Sequence, residues 1–223
     1  MSSPVLCPLC KDSGVEFLSD FLRRDYYRCK TCNLAFVSPL SFLSSSEEVS
    51  RYDKHNNTAD SPGYVKYLEE VAGYLSKIPV DSPSILDFGC YKTEVLVSIL
   101  TKQGYDCKGY DPCYKIGLSN LTDRYDVLIL CEVLEHLYDI NKEIDLIENL
   151  LKPGTGYILI RTELYSKDKD IKKWWYTNDE THVFLPSEHT IGLIGKKLDR
   201  EIIYSDGRRY IILGPASDKE HLR

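Results

Sequence analysis

From Ser84 onward the chain alternates short, wholly apolar runs with amphipathic ones: "SILDFG", "TEVLVSILTKQ", "CKGYD", "YDVLIL", "NKEIDLIENLLK", "GYILIRTEL" and "SEHTIGLIGKKL". A run such as VLIL has no polar face, which marks a strand buried on both sides, while the intervening segments carry apolar residues at helical spacing. The pattern predicts an α/β fold, a doubly wound and mostly parallel sheet with helices on both faces. The end departs from it. In "REIIYSDGRRYIILGP" Asp206 and Gly207 separate two β-rich runs, predicting an antiparallel C-terminal hairpin at one sheet edge. Upstream, Pro62 opens a segment in which Tyr64, Val65, Leu68, Val71, Ala72 and Leu75 share one helical face, predicting a helix to about Ile78.

The preceding residues are polar. "SFLSSSEEVS" and "RYDKHNNTADSP" predict a connector over residues 41–61, between a small N-terminal unit (1–40) and the main domain (62–223). Cys7, Cys10, Cys29 and Cys32 stand in that unit as C-x2-C-x18-C-x2-C. Two residues between cysteines let a tight knuckle aim both thiolates at one ion, and a hairpin between the knuckles completes a tetrahedron, so the spacing predicts a Zn2+ ribbon. With all four positions protein-filled, the site is expected to be structural. A unit this short cannot bury its own core, so the metal would supply much of its folding energy. Arg23, Arg24, Arg28 and Lys30 give it a slightly basic face, leaving contact with a protein or nucleic acid open there. Cys90, Cys107, Cys113 and Cys131 are scattered and suit small buried apolar positions.

Charge narrows the partners. A net charge of -6 and a pI near 5.4 give no general attraction to nucleic acid or anionic membrane. No apolar run approaches a membrane span, and "MSSPVLCPLC" lacks the regions of a secretion signal, so a cytoplasmic protein with metal-bound rather than disulfide-bonded cysteines is expected.

Ligands of doubly wound sheets sit beyond the carboxyl ends of the strands. Asp87 and Gly89 close the first strand there. Asp111, followed by Pro112, closes the second, where an acid can accept the hydroxyls of a ribose. "CEVLEHL" adds Glu132, Glu135 and His136 to the same rim, either as site groups or as helix-capping and solvated residues. In "WWYTNDETHVFL", Asp179 and His182 are three apart and can share one side of a turn, the carboxylate orienting an imidazole that acts as general base. The alternative is structural, with Asp179 capping the turn, His182 bonded to backbone and the tryptophans packing the core. Trp175 and Tyr176 could wall the pocket or face a cation. His189 is expected to face solvent.

The series "ILDFGC", "GYDP", "YDVLILCEVLEHL" and "LLKPGTGYILIRT" resembles the class I S-adenosylmethionine-dependent methyltransferases over residues 51–214. A narrower likeness is to bacterial members that join an N-terminal zinc ribbon to a YxxHxN…GY segment and a W-[HW]-Y-x-x-D-x-T-H-V segment, present here as "YDKHNNTADSPGY" and "WWYTNDETHV". The resemblance implies a Rossmann-like fold, S-adenosyl-L-methionine as cofactor and methyl transfer to a small molecule. It implies further that Gly89, Cys90 and Tyr91 face the methionine portion, that Asp111 and Pro112 lie at the ribose, that Cys131 and Glu132 lie near the adenosine or sulfonium, and that Tyr52, His55 and Tyr64 close over the top. Two features depart from the family pattern. Tyr91 and Thr93 replace glycines of the D-x-G-C-G-x-G loop, so either the turn adapts and the phenol lies along the ligand, or a side chain fills the ligand's volume and the domain is a binding scaffold. Only residues 112–124 separate the second strand from the next, too few for a crossover helix and another strand, so the usual third strand is expected to be missing.

Overall fold

Six strands form the central sheet in the computed structural model, which describes residues 4–215; the tail with His221 lies outside the described residues. Strands β4 (Ser84–Phe88), β5 (Asp106–Tyr110), β6 (Val127–Cys131) and β7 (Tyr157–Arg161) are parallel, and β9 (Glu201–Ser205) and β10 (Tyr210–Gly214) complete the order β5-β4-β6-β7-β10-β9. Strand β10 pairs antiparallel with β7 and β9, as the Asp206–Gly207 hairpin signal implied. Asp206 closes the turn, its Oδ1 accepting from the backbone of Arg208, Arg209 and Tyr210.

Alternate residues of each strand feed two cores. Ile85, Val127, Ile129, Leu159 and Ile212 pack under α2 (Pro62–Gly73) and α3 (Val95–Lys102). Leu86, Leu128, Leu130, Ile160 and Leu213 pack on the other face with α4 (Ile140–Leu150) and α5 (Glu188–Lys197). Sheet order reverses at β4, whose neighbours are β5 on one side and β6 on the other, and that placement opens a crevice at their carboxyl ends.

The shortened crossover has the expected result. Among the described residues no strand lies between β5 and β6, only an isolated bridge from Asp111 to Ile116 and a 3-10 turn over Leu118–Thr122. The turn shields the β5 edge, the Asn120 amide donating to the Gly109 carbonyl at 2.9 Å.

The N-terminal unit is a meander of β1 (Val15–Phe21), β2 (Arg24–Cys29) and β3 (Ala35–Val37). It does not stand apart from the main domain. Strand β8 (Phe184–Leu185), from the "THVFL" segment, adds to β3 as a fourth strand, and Cys7, Cys29, Cys32 and Phe36 belong to the same continuous core as α4 and α5. The expected basic face is also altered. Arg24 is buried, and Arg28 pairs with Glu16 at 2.6 Å, so only Arg23 and Lys30 of the four are exposed.

The connector departs from expectation as well. Residues 45–52 form α1 (Ser45–Tyr52), because Ser44 and Glu47 make a reciprocal capping box. No helix among the described residues is long and apolar enough to cross a membrane.

Candidate functional site

Strand β4 ends in a turn that only glycine fits. Gly89 has φ +85°, and a Cβ there would meet Val133 Cγ2 at 2.6 Å. Its amide and that of Cys90 both donate to the Tyr110 carbonyl, at 2.7 and 3.1 Å, which locks the first two strand ends together. Gly89→Ala is expected to lower stability by about 2–4 kcal/mol through overpacking and left-handed strain. A thermal melt measures this, and an unchanged melting temperature would contradict it.

The turn adapts to Tyr91 and Thr93. Tyr91 adopts φ 57°, the left-handed region a glycine would occupy. Its hydroxyl turns outward to the Tyr52 carbonyl at 3.4 Å, its ring meets Tyr114 edge-on, and Thr93 Oγ1 donates to the Asn57 carbonyl at 2.7 Å. Lys92 pairs with Asp53 at 2.5 Å. The loop thus fastens a strap of residues 52–57 across the crevice. Behind it a cavity of about 990 Å³ remains, with Tyr91 in its wall.

Asp111 is nearly buried and works first for its own loop. Oδ2 accepts from the Tyr91 amide at 3.0 Å, and Oδ1 from Cys113 and Tyr114 at 2.9 and 3.2 Å. A carboxylate has about four acceptor directions. Three are used, so a bidentate grip on a ribose would have to displace or share these bonds. Cys131 carries the Tyr67 hydroxyl at 2.9 Å. Beyond it Glu132 forms an ion pair with Arg161, whose guanidinium lies 4.9 Å over the Tyr67 ring, and has an oxygen 3.1 Å from the Tyr176 hydroxyl.

Asp87 is enclosed. Burial, then the charges of Asp111 and Glu94, push its carboxyl up from 3.8 to about 7. The folded state therefore binds more protons than the unfolded state between those values, and stability falls as pH rises through that window before levelling near 7. In urea titrations at pH 5 and pH 8, Asp87→Asn should shift the pH difference in stability seen in the unaltered chain by on the order of 3 kcal/mol, leaving the opposite contribution of the buried His136 and His182 in place. A pH difference unchanged by the substitution would remove Asp87 as its source.

The expected pairing of Asp179 with His182 is not formed. The Asp179 carboxylate accepts from the Thr181 amide and hydroxyl at 3.0 and 2.7 Å, and pairs with Arg51 at 2.9 Å and His55 at 3.4 Å. Burial opposes its charge, but the bonds from His55 and Thr181 and the nearby His182 hold it well below the usual carboxylate range. His182 Nδ1 instead lies 2.7 Å from the Tyr176 carbonyl. An i, i+3 spacing aligns side chains only on a regular helix. Here the 3-10 turn ends at Asn178 and Asp179 has extended backbone.

Glu135 is fully buried, accepting from Thr162 at 3.0 Å and from Tyr176. His136 and His182 cross edge-on with centroids 4.8 Å apart. Burial lowers each to about 4, Asp179 partly resisting the shift at His182. Tyr64, Pro112 and the exposed Trp175 complete the wall, Trp174 packs in the core, and His189 is exposed as expected.

Several groups escaped the sequence reading. Glu48 and Arg51 reach the cavity from α1, whose capping box was legible in S-x-x-E. Tyr67 and Arg161 gave no signal, since one lies on a helix between core positions and the other ends an apolar strand.

Among the described residues, two groups could hold a metal ion. The sulfurs of Cys7, Cys10, Cys29 and Cys32 lie within 4.8 Å of one another, and the closest pairs, at 3.4 and 3.5 Å, are near the roughly 3.8 Å edge of a tetrahedral zinc thiolate site. The other comprises Glu135, His136 and His182.

Residues 62–204 match a family model described as a methyltransferase domain. Among solved structures, magnesium protoporphyrin IX methyltransferase from Synechocystis PCC 6803 with bound SAH aligns with a TM-score of 0.54 at 15% identity, over 77% of this chain and 96% of that one. An O-methyltransferase family protein from Burkholderia thailandensis aligns with a TM-score of 0.50 at 15% identity, over 68% of this chain and 56% of that one. The SAH-bound form of CalO1, a methyltransferase in calicheamicin biosynthesis, aligns with a TM-score of 0.44 at 12% identity, over 66% of this chain and 54% of that one. This chain thus spans about half the length of several structures it matches. No curated protein matches it. At these identities the structural likeness is one of fold.

Proposed function

The chain belongs to the methyltransferase domain family, and from that premise we propose that it is an S-adenosylmethionine-dependent methyltransferase acting on a small molecule, with one structural zinc ion on Cys7, Cys10, Cys29 and Cys32. The observation that carries the reading is the cavity of about 990 Å³ at the carboxyl ends of β4 and β6, left open because Tyr91 and Thr93 turn toward the strap. Its size suits a cofactor and a small acceptor.

In this reading Gly89, Cys90 and Tyr91 bracket the methionine portion, Asp111 and Pro112 the ribose, and Cys131 with Glu132 the adenosine or sulfonium, while Tyr52, His55 and Tyr64 cover the site. When bound, the cofactor supplies a methyl already activated on a sulfonium, so the protein has mainly to align the acceptor, exclude water and take up a proton. His55 is the group best placed for the proton. Its Nε2 faces Asp179, which leaves Nδ1 as acceptor, and Arg51 steadies the carboxylate. His182, with Nδ1 held by a carbonyl, flanks this pair.

Calorimetry with S-adenosylhomocysteine on the folded, zinc-loaded full chain is the test. Binding is expected, and its absence would leave a methyltransferase-like scaffold. In a screen following labelled methyl from S-adenosylmethionine into small acceptors, His55→Ala is expected to slow transfer roughly 100-fold while S-adenosylhomocysteine binding persists. Equal rates would remove His55 from the chemistry.

A further inference from the structure

We infer that Glu135, His136 and His182 form a second metal site, binding a divalent first-row transition ion in the wall of the cavity. Their ligand atoms lie within 4.8 Å of one another. An ion with bonds of about 2.1 Å draws its ligands to roughly 3.4 Å apart, so the cluster needs to contract by up to about 1.4 Å. Two imidazoles and one carboxylate suit zinc, iron or their neighbours rather than magnesium or calcium.

The surrounding bonds fit the assignment. His182 Nδ1 is engaged by the Tyr176 carbonyl, which fixes that nitrogen as the donor and leaves the Nε2 lone pair for an ion. His136 Nδ1 is buried without a hydrogen-bond partner, a cost that coordination would relieve. Thr162 and Tyr176 both donate to Glu135, as expected of groups that orient a ligating carboxylate. Three protein ligands leave positions open, and His136 and His182 both line the cavity.

The open positions would take an oxygen of the acceptor, a hydroxyl or enol. Bound to the ion, that oxygen loses its proton more readily. The proton passes to His55, the oxygen forms its bond to the methyl carbon of the sulfonium donor, and the carbon–sulfur bond breaks with its electron pair staying on sulfur. This chemistry rests on the methyltransferase reading, whereas ion binding does not.

Cobalt(II) is the probe. Titrated into the zinc-loaded full chain, it is expected to bind one further equivalent per chain with weak visible d–d bands and no thiolate charge-transfer band. His136→Gln and His182→Gln should each weaken binding at least tenfold. Manganese(II) on the unaltered chain adds a variant-free readout, imidazole nitrogen couplings in electron spin-echo spectra. No further equivalent, a thiolate band from the added ion, or binding untouched in the double variant would overturn the inference. S-adenosylhomocysteine calorimetry on the same samples separates the two failures: cofactor binding without the second ion sinks this site alone, and the reverse sinks the methyltransferase reading alone.

Discussion

Replacing Cys29 and Cys32 with serine, or stripping the metal with a chelator, is expected to collapse both the N-terminal sheet and the loop that carries Asp179 and His182. A four-cysteine zinc site supplies on the order of 10 kcal/mol to folding, comparable to the whole stability of a domain. The two knuckles are also bonded to the main domain. Pro8 and Leu9 carbonyls accept from Asn141 and Lys197, and the Cys32 carbonyl accepts from Thr190 at 2.9 Å. Farther along, Ala35 and Phe36 pair with Leu185 and Phe184, and the Val37 amide donates to the Val183 carbonyl at 2.9 Å. Loss of the knuckles therefore releases β8 and, with it, the segment before it. Near-ultraviolet circular dichroism should lose the signal of Trp174, whose ring lies 5.3 Å from that of Tyr176, and the melting temperature should fall by on the order of 10 °C or more. An unchanged melt after chelation would mean that packing alone holds the ribbon.

Arg24→Ala should be the most damaging single substitution outside the cavity and the cysteine cluster. The buried guanidinium donates to three carbonyls of the same loop, Thr177 at 2.5 Å, Asp179 at 3.1 Å and His182 at 3.3 Å. It also lies 5.2 Å over the Tyr26 ring. Burial lowers its pKa and offsets part of its benefit, with Tyr26, Glu180 and Asp179 opposing that shift. Stranding those carbonyls should still cost about 3 kcal/mol. Because the loop positions Asp179 against His55, methyl transfer should fall by more than the loss of folded protein explains. Arg24→Lys should not rescue it, since one ammonium cannot span the fork. Denaturant titration alongside transfer rates measures both, and activity that tracks folded fraction alone would reduce Arg24 to a structural support.

Much of the architecture was legible because its periodicity is local. The runs at β4, β6 and β7 carry their burial in their composition, and the residues of the α2 face and the Asp206–Gly207 turn each declare a backbone geometry. The four cysteines were equally plain, since their spacing is itself the knuckle. The α1 helix is less legible: S-x-x-E declares its capping box, but the serine-rich stretch around it has the composition of a connector.

The site was legible as an address and not as a set of partners. Strand ends alone put Asp87, Gly89, Asp111 and Glu132 on one rim. Which groups meet across it depended on long-range closure: α1 brings Arg51 and His55 to Asp179, and the ribbon's Arg24 grips the loop from the far end of the chain. Tyr91 illustrates the same divide. Its departure from glycine is written in the sequence, but whether the phenol fills the cavity or fastens a strap was decided by packing against Tyr52 and Tyr114. The sequence by itself determined the parallel sheet, its hairpin edge and the paired cysteine knuckles, since near neighbours dictate those geometries. Tertiary structure alone decided the pairing of Asp179 with His55, the joining of ribbon to loop and the meeting of Glu135, His136 and His182, because such contacts exist only once the chain has closed on itself.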